Sequence, residues 1–503
     1  MVENSNNRQK TLDYIVTIYC MIKCRQIGGG NMKLGFGTKL SYGIGGVADN
    51  AMYTISGTFL LFFLTTVAGI QPAAAGTIAA IGSVWEAFCG PICGYFSDNI
   101  DTRFGKRKPF LIAAAIPVAV ITSLLFTAID ATYTFKIFYY GLMTILFWTS
   151  FASFFVPYMA WGSDLTADYN ERTVLRSYAY VFNQVGMAIG MVLPTIIVDF
   201  LMNMGKSTAQ SWTAVGIFCG VCAGAALLIC AFTIKKSDVP NFKKSPNKAK
   251  IFTFSKIIEM YKGYIQILKL KPIRFLLGAS VLYLIANTIF SSDRIYYFSY
   301  NLGLSATNIS FIMFLITVVG ICLVPLVAGL SNKTDKKLVF MLGIGITGII
   351  MIAFRFIGVN SFVVACGLCI IYSVGNTCYW QLMPSMIYDV CEVEELSSGK
   401  KHSGAVISLQ ALAESVSIAI GLQFLGIILE QAGFQSEAAV QSVTACTWVS
   451  NCFTLLPGIF MLLVVFIINK YPIDKKHFDK VMDAVEKQRD GETPDLDEFD
   501  DIF

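Results

Sequence analysis

The chain has 503 residues, of which 55% are hydrophobic and 14% charged, with a formal net charge of +5. Soluble domains carry about 25% charged residues, and many uncharged stretches here exceed the roughly 20 residues that cross a bilayer. A soluble globular domain is therefore excluded. The positive residues lie in loops between apolar spans, where membrane topology accounts for them without a nucleic-acid partner.

Residues 1–31 differ from the rest: charge is mixed with a short apolar run, Tyr14 to Met21, and the stretch closes on Gly28-Gly-Gly30. The run is too short to span. Residues 1–40 are expected to form a cytoplasmic N-terminal arm, of which 1–31 are an extension from start-site choice or a loose segment, with Met32 as a more natural start. No cleavable signal peptide is evident.

Twelve spans are predicted. Those at 43–70, 74–97, 109–130, 136–161, 177–201 and 212–234 make an N-terminal six-helix bundle over 41–235. A basic cytoplasmic linker follows over 236–274. Spans at 275–300, 305–330, 338–357, 361–389, 403–430 and 446–469 make a C-terminal bundle over 275–469, and 470–503 form a cytoplasmic tail.

In the second span Glu86 is the first charge after Asp49. A carboxylate at that depth costs roughly 2.5–3.5 kcal/mol to insert on translocon scales. A helix that tolerates this cost uses the charge. The span runs into a basic hairpin with Arg103, Lys106, Arg107 and Lys108. Basic residues also crowd the sixth loop (Lys235 to Arg274) and the eighth (Lys333, Lys336, Lys337), whereas intervening loops hold few charges. The positive-inside rule then puts both termini and the even-numbered loops in the cytoplasm. The tail after Tyr471 is expected to begin with a short helix.

The halves echo each other. Gly94-Tyr-Phe-Ser-Asp-Asn leads into the basic second loop, and Gly329-Leu-Ser-Asn-Lys-Thr-Asp-Lys-Lys337 into the eighth. Pro157 to Asp164 precedes an acidic fourth loop, and Pro384 to Asp389 an acidic tenth. Two bundles related by an axis along the membrane normal follow, with substrate near the midplane between them and rocking as the means of alternating access. The 14 cysteines, including the Cys219/Cys222 and Cys366/Cys369 pairs, are expected to be small apolar packing residues. His402 and His477 are too few for a metal site. No Ser-His-Asp set, metal cluster or phosphate loop is visible, so an enzyme is not expected and no cofactor is implied.

These features together resemble the major facilitator superfamily, and within it the glycoside–pentoside–hexuronide:cation symporters, the melibiose permease family. The resemblance covers about residues 32–489. It is carried by Lys39-Leu-Ser-Tyr-Gly-Ile-Gly45, by Trp85-Glu-Ala-Phe-Cys-Gly-Pro91 followed by Asp98, Thr102, Arg103, Gly105, Lys106 and Pro109, by Asp164 to Arg172, by Asp389 to Gly404, and by Tyr296-Tyr-Phe298 and Tyr471-Pro-Ile473. It implies an all-α polytopic membrane protein with the major facilitator fold, twelve transmembrane helices in two six-helix bundles. It also implies symport of a sugar or glycoside with a cation across the plasma membrane by a protein expected to be monomeric.

In that family two carboxylates one turn apart on the second span bind the cation. Glu86 matches the first, but Gly90 stands at the second, and Phe155 replaces a third carboxylate on the fourth span. Na⁺ wants several oxygen ligands, so a lone carboxylic acid favours H⁺ as the coupling ion. Asn50 matches the family's sugar-binding acid, with Asp49 beside it. Tyr180 stands for its arginine and Ser415 for its lysine, while Trp380 and Gln410 are retained. With Gln381, these residues supply the aromatic face and the hydrogen-bond partners that a sugar needs. Asp98, Arg103, Lys106 and Arg107 match the family's conformational switch. Asp293 and Arg294 either line the cavity as a pair or are solvated near the outer surface, and Glu414 either lines it or pairs locally with a basic loop residue. A same-fold carrier of another solute, such as a lysolipid or organic anion, or an exchanger, stays open.

Overall fold

The computed structural model describes residues 34–99, 102, 104–165, 169–234, 267–398, 403–435, 438, 440–489, 499 and 502. The expected start-site extension, most of the basic linker, Arg103 and the side chain of Asp98 lie outside the described residues. Among the described residues twelve helical spans are long and apolar enough to cross a membrane.

The first half contains α1 (Phe36–Phe62, extended by a π-helical turn Phe63–Val67), α2 (Pro72–Asn99), α3 (Lys108–Leu125), α4 (Tyr133–Leu165), α5 (Tyr169–Met191), α6 (Leu193–Asn203) and α7 (Thr208–Thr233). The second contains α8 (Lys271–Tyr296, with a π-helical turn Tyr297–Asn301), α9 (Ala306–Lys333), α10 (Lys336–Ile357), α11 (Phe362–Ser398), α12 (Ser403–Gln431), α13 (Val443–Ser450), a π-helical turn Asn451–Leu455, and α14 (Leu456–Asn469). The tail helix α15 spans Lys475–Arg489.

Local chemistry sets the starts. Pro109, Pro194, Pro272 and Pro457 occupy the first turns of α3, α6, α8 and α14, where a missing N–H is harmless. Ser207 and Gln210 form a reciprocal capping box at α7. Ser305 and Ser442 cap α9 and α13 through their hydroxyls. The fifth predicted span is divided at Val192, because Pro194 restarts the helix as α6. The tail helix is tied down: the Lys475 N–H donates to Asp335 Oδ2 at 2.9 Å and Lys337 Nζ to the Tyr471 carbonyl at 2.7 Å. Just before its first residue, Asp474 accepts from the His477 backbone N–H, which holds its carboxyl below the usual carboxylate range.

α1, α2, α3, α4, α5–α6 and α7 pack into one bundle, and α8 to α14 into the other. The bundles meet chiefly along α2 and α12, with further contacts of α1 to α8 and of α5–α6 to α9. Glycine makes the α2–α12 approach possible. A Cβ on Gly426 would stand 2.5 Å from the Pro72 carbonyl oxygen, and one on Gly76 would stand 2.9 Å from that of Leu422. Small residues of this kind let membrane helices close on each other backbone to backbone.

The hydrogen bonds described between the bundles all lie at the end remote from the basic loops, called here the distal end. Ala73 N–H donates to Glu430 Oε2 at 2.9 Å, and Thr307 Oγ1 to Asp199 Oδ2 at 3.1 Å. The hydroxyls of Thr65 and Tyr296 pair at 2.6 Å, and Thr195 bonds Ser310. Ser292 Oγ donates to the Gly57 carbonyl at 3.2 Å. The distal end is thus closed by hydrogen bonds between the two bundles.

Candidate functional site

On the N-terminal side of the site, α2 is seated on α4 one turn before Glu86. A Cβ on Gly82 would fall 2.4 Å from Thr144 Cγ2 and 2.6 Å from Trp148 Cδ1, so only glycine permits this approach. Trp85 Nε1 then donates to Thr149 Oγ1 at 2.9 Å and fixes the rotation of α2. Glu86 follows, half-buried. Its electrostatic neighbours are Asp49 of α1 and Glu414 of α12. Tyr53, one turn beyond Asp49, faces the same three carboxylates. Its ring lies 6.3 Å from Trp148 and 6.5 Å from Phe151, centroid to centroid. Phe155 stacks on Phe151 at 5.1 Å, giving this wall an apolar aromatic patch.

The facing wall belongs to α8, α11 and α12. Gln410 Nε2 donates to Ser280 Oγ at 2.7 Å and to Glu414 Oε1 at 3.0 Å. Ser280 also bonds the Tyr379 hydroxyl. Tyr379 stacks on Tyr283 at 3.9 Å and meets Trp380 edge-on at 5.4 Å. Trp380 is 42% exposed. The side-chain oxygens of Gln410 and Gln381 are buried without a hydrogen-bond partner. Tyr379 has Glu414 and, from the other bundle, Tyr53 as electrostatic neighbours. The two walls therefore belong to one site.

The predicted residues divide accordingly. Asp49, Glu86, Gln410 and Glu414 come together, with Trp380 reaching them through Tyr379. Asn50 turns into its own bundle: with the Asn183 amide oriented to donate to the Gly46 and Ala179 carbonyls, its oxygen accepts from Asn50 Nδ2 at 3.2 Å. Tyr180 is 47% exposed on α5, and no contact described ties it to Asp49 or Trp380. Asp293 and Arg294 were expected to line the cavity or to be solvated near the outer surface. Neither lines it, and neither is solvated: Asp293 is 0% and Arg294 5% exposed, packed in the closed distal end. The packing of α8 against α1, with Met191 of α5 beside Arg294, removes both from water.

Sequence reasoning passed over Tyr53, Tyr379 and Ser280. Tyr53 carried a usable signal, since position 53 shares a helix face with Asp49. Tyr379 adjoins the retained Trp380. A hydroxyl such as Ser280 gives no such warning in an apolar helix.

At the basic end the expected switch has a definite geometry. Arg107 Nε donates to Asp164 Oδ2 at 3.0 Å and its Nη1 to Ser97 Oγ at 2.6 Å, joining the ends of α2 and α4. Lys336 Nζ donates to both oxygens of Asp389 at 2.8 Å, joining α10 to α11. Lys106 is exposed. The cysteine pairs hold no disulfide: Cys219, Cys222, Cys366 and Cys369 are free thiols.

Residues 41–475 match the family model described as MFS/sugar transport protein. The chain is similar to the "Uncharacterized symporter YnaJ" of Bacillus subtilis, 24% identical with 93% of this chain and 98% of that protein covered. It is similar also to the "Glucuronide carrier protein homolog" of Escherichia coli, at 25% identity with 91% and 97% covered, and to the "Isoprimeverose transporter" of Lactiplantibacillus pentosus, at 23% with 87% and 88% covered. Among solved structures, that of a D-xylose-proton symporter superposes with a TM-score of 0.60 at 14% identity, covering 88% of this chain and 99% of the other. At that identity the likeness speaks for the fold alone.

Proposed function

The chain belongs to the MFS/sugar transport family, and from that premise we propose that it is a secondary transporter that couples entry of a sugar or glycoside to a proton by alternating access. The observation that carries the reading is the meeting of Asp49, Glu86 and Glu414 around Tyr53, directly across from Trp380, Tyr379 and Gln410. An aromatic face with free amide oxygens suits a sugar ring and its hydroxyls. The relatives named as a glucuronide carrier homolog and an isoprimeverose transporter point to the same class of solute.

The carboxylates give the site its coupling chemistry. Glu86 belongs to one bundle and Glu414 to the other, so closing the site from the basic end draws like charges together. A proton on Glu86 removes that repulsion. Substrate loading and protonation then favour the same movement, which is the condition for symport. A sodium ion fits less well: Gly90 presents no side-chain oxygen, and Phe155 stacks on Phe151. By the positive-inside rule the basic end is cytoplasmic and the distal end is outside the cell membrane. The distal hydrogen bonds between the bundles then make a shut outer gate.

Uptake of a glycoside panel into proteoliposomes, with a pH gradient or a Na⁺ gradient imposed separately, tests this. Accumulation of at least one glycoside under the pH gradient alone is expected. Equal accumulation under Na⁺ alone defeats the proton reading, and protection of the site's tryptophans from quenching by a lysolipid but by no sugar defeats the sugar reading.

A further inference from the structure

We propose that Asp293 is a second proton-binding site, built into the outer gate and separate from the Glu86 cluster. Asp293 is completely buried, and neither carboxylate oxygen has a hydrogen-bond partner. Its neighbours in the sequence are both committed to the opposite bundle. Ser292 donates to the Gly57 carbonyl of α1. Arg294 sends Nη2 to Thr58 Oγ1 at 3.2 Å and to Met191 Sδ at 3.4 Å. This turn of α8 is therefore the bolt between the bundles, and Asp293 is enclosed whenever the bolt is home.

Arg294 forms no ion pair with Asp293, although it is adjacent. Consecutive helical residues point about 100° apart, and the guanidinium is drawn across the interface to Thr58. Around Asp293 the titratable and charged groups are Tyr296 and Tyr297 on its own helix and turn, Cys452 of the π-helical turn after α13, and Arg355 of α10 beyond Tyr297. Arg355 is engaged elsewhere, donating Nε to Asn451 Oδ1 at 2.5 Å. Around Arg294 stand Cys369 and Tyr372 of α11. No cation among these pairs with the carboxylate. An ionised carboxylate without hydrogen bonds or a counter-charge is among the most expensive groups to enclose. The closed gate holds Asp293 as the neutral acid.

Opening reverses this. When α8 parts from α1, the turn that carries Ser292 and Arg294 is wetted, and Asp293 yields its proton to outside water as an ordinary surface carboxylate. Outside protons therefore drive closure of the outer gate, the step that follows loading from outside. The outside–inside assignment rests on the proposed function, but the site itself does not depend on which solute is carried.

The test uses full-length protein in proteoliposomes and no sugar, so its outcome is independent of the solute. Distance labels at Lys206 and Val443, exposed at the distal ends of the two bundles, report the gate while outside pH is varied at constant inside pH. Wild type is expected to close on acidification. Asp293→Asn is expected to stay closed across the range. An unchanged pH response in Asp293→Asn overturns the proposal. Infrared spectra of wild type are expected to show a carboxylic-acid C=O stretch in the unbonded range, absent in Asp293→Asn. Should that variant not fold, the triple variant Asp49→Asn, Glu86→Gln, Glu414→Gln must retain the band. Its absence there overturns the site.

Discussion

Arg107 and Asp164 stand in the N-terminal bundle as Lys336 and Asp389 stand in the C-terminal one: a base at the start of the third span of each half holds an acid on the fourth. Each pair is internal to its bundle.

The first prediction concerns that pair. Arg107→Gln removes both bonds that join α2 to α4 at the basic end. Asp164 is partly exposed, so the loss of stability is small, of the order expected for a surface pair, about 0–1 kcal/mol. Transport is expected to fall much further, because the end of α2 loses its fixed position during closure. A melting curve close to wild type together with uptake reduced about tenfold supports the assignment. Unchanged uptake removes Arg107 from the switch.

Glu86→Gln keeps the shape of the side chain and removes its proton chemistry. The variant is expected to exchange sugar down a gradient but not to accumulate it, and downhill flux is expected to lose its dependence on the pH gradient. Counterflow and pH-driven accumulation measured on the same proteoliposomes separate the two. Full accumulation by Glu86→Gln disproves the assigned role.

Gly90 offers a gain-of-function test. A Cβ there would meet nothing nearer than Val156 Cγ2 at 3.9 Å, so a short acid enters without displacing the helix. Gly90→Asp places a second carboxylate one turn from Glu86. Uptake is expected to become stimulated severalfold by Na⁺, where wild type is indifferent. If Na⁺ has no effect on a folded Gly90→Asp, the missing oxygen at this position is not what sets the ion preference.

The sequence showed the frame better than the site. Hydropathy located all twelve spans, because a bilayer demands long apolar runs whatever their neighbours. It ended the fourth and tenth spans early, at 161 and 389, whereas α4 runs to Leu165 and α11 to Ser398. Charges such as Asp164 and Glu394 end an apolar run but not a helix, whose hydrogen bonds are indifferent to hydropathy. Glu86 was visible because an isolated carboxylate in a span is conspicuous. The roles of Tyr53 and Ser280 were hidden, since each depends on a helix far away in the chain. Asp293 and Arg294 were noticed as charges, but their burial follows from how α8 meets α1, which no local pattern encodes.

Trp380 tests the sugar wall. Its ring is partly exposed and meets Tyr379 edge-on. Trp380→Ala removes the aromatic face, worth about 0.5–1.5 kcal/mol in ring contacts, so apparent affinity for the transported glycoside should weaken roughly threefold to tenfold. Trp380→Phe should recover part of it. Equal affinity in all three proteins places the sugar elsewhere.

The last prediction uses the α2–α12 approach at the outer gate. Gly426 has no room for a side chain against Pro72, and the obstacle is backbone rather than a flexible side-chain end. Gly426→Val therefore cannot be absorbed while the gate is shut. Overpacking of this kind costs about 1–3 kcal/mol, a shift of roughly 5- to 150-fold in an equilibrium between two states. In the open gate the same side chain meets solvent, and the cost vanishes. The variant should therefore populate the outward-open state, with the Lys206–Val443 distance lengthened and accumulation reduced, while sugar binding from outside persists. Closing would also be required to protonate Asp293, so the carboxylic-acid band assigned to it should weaken in Gly426→Val. A shut gate in this variant would show that α2 and α12 can separate locally without the bundles parting, and the glycine contact would then be a matter of packing alone.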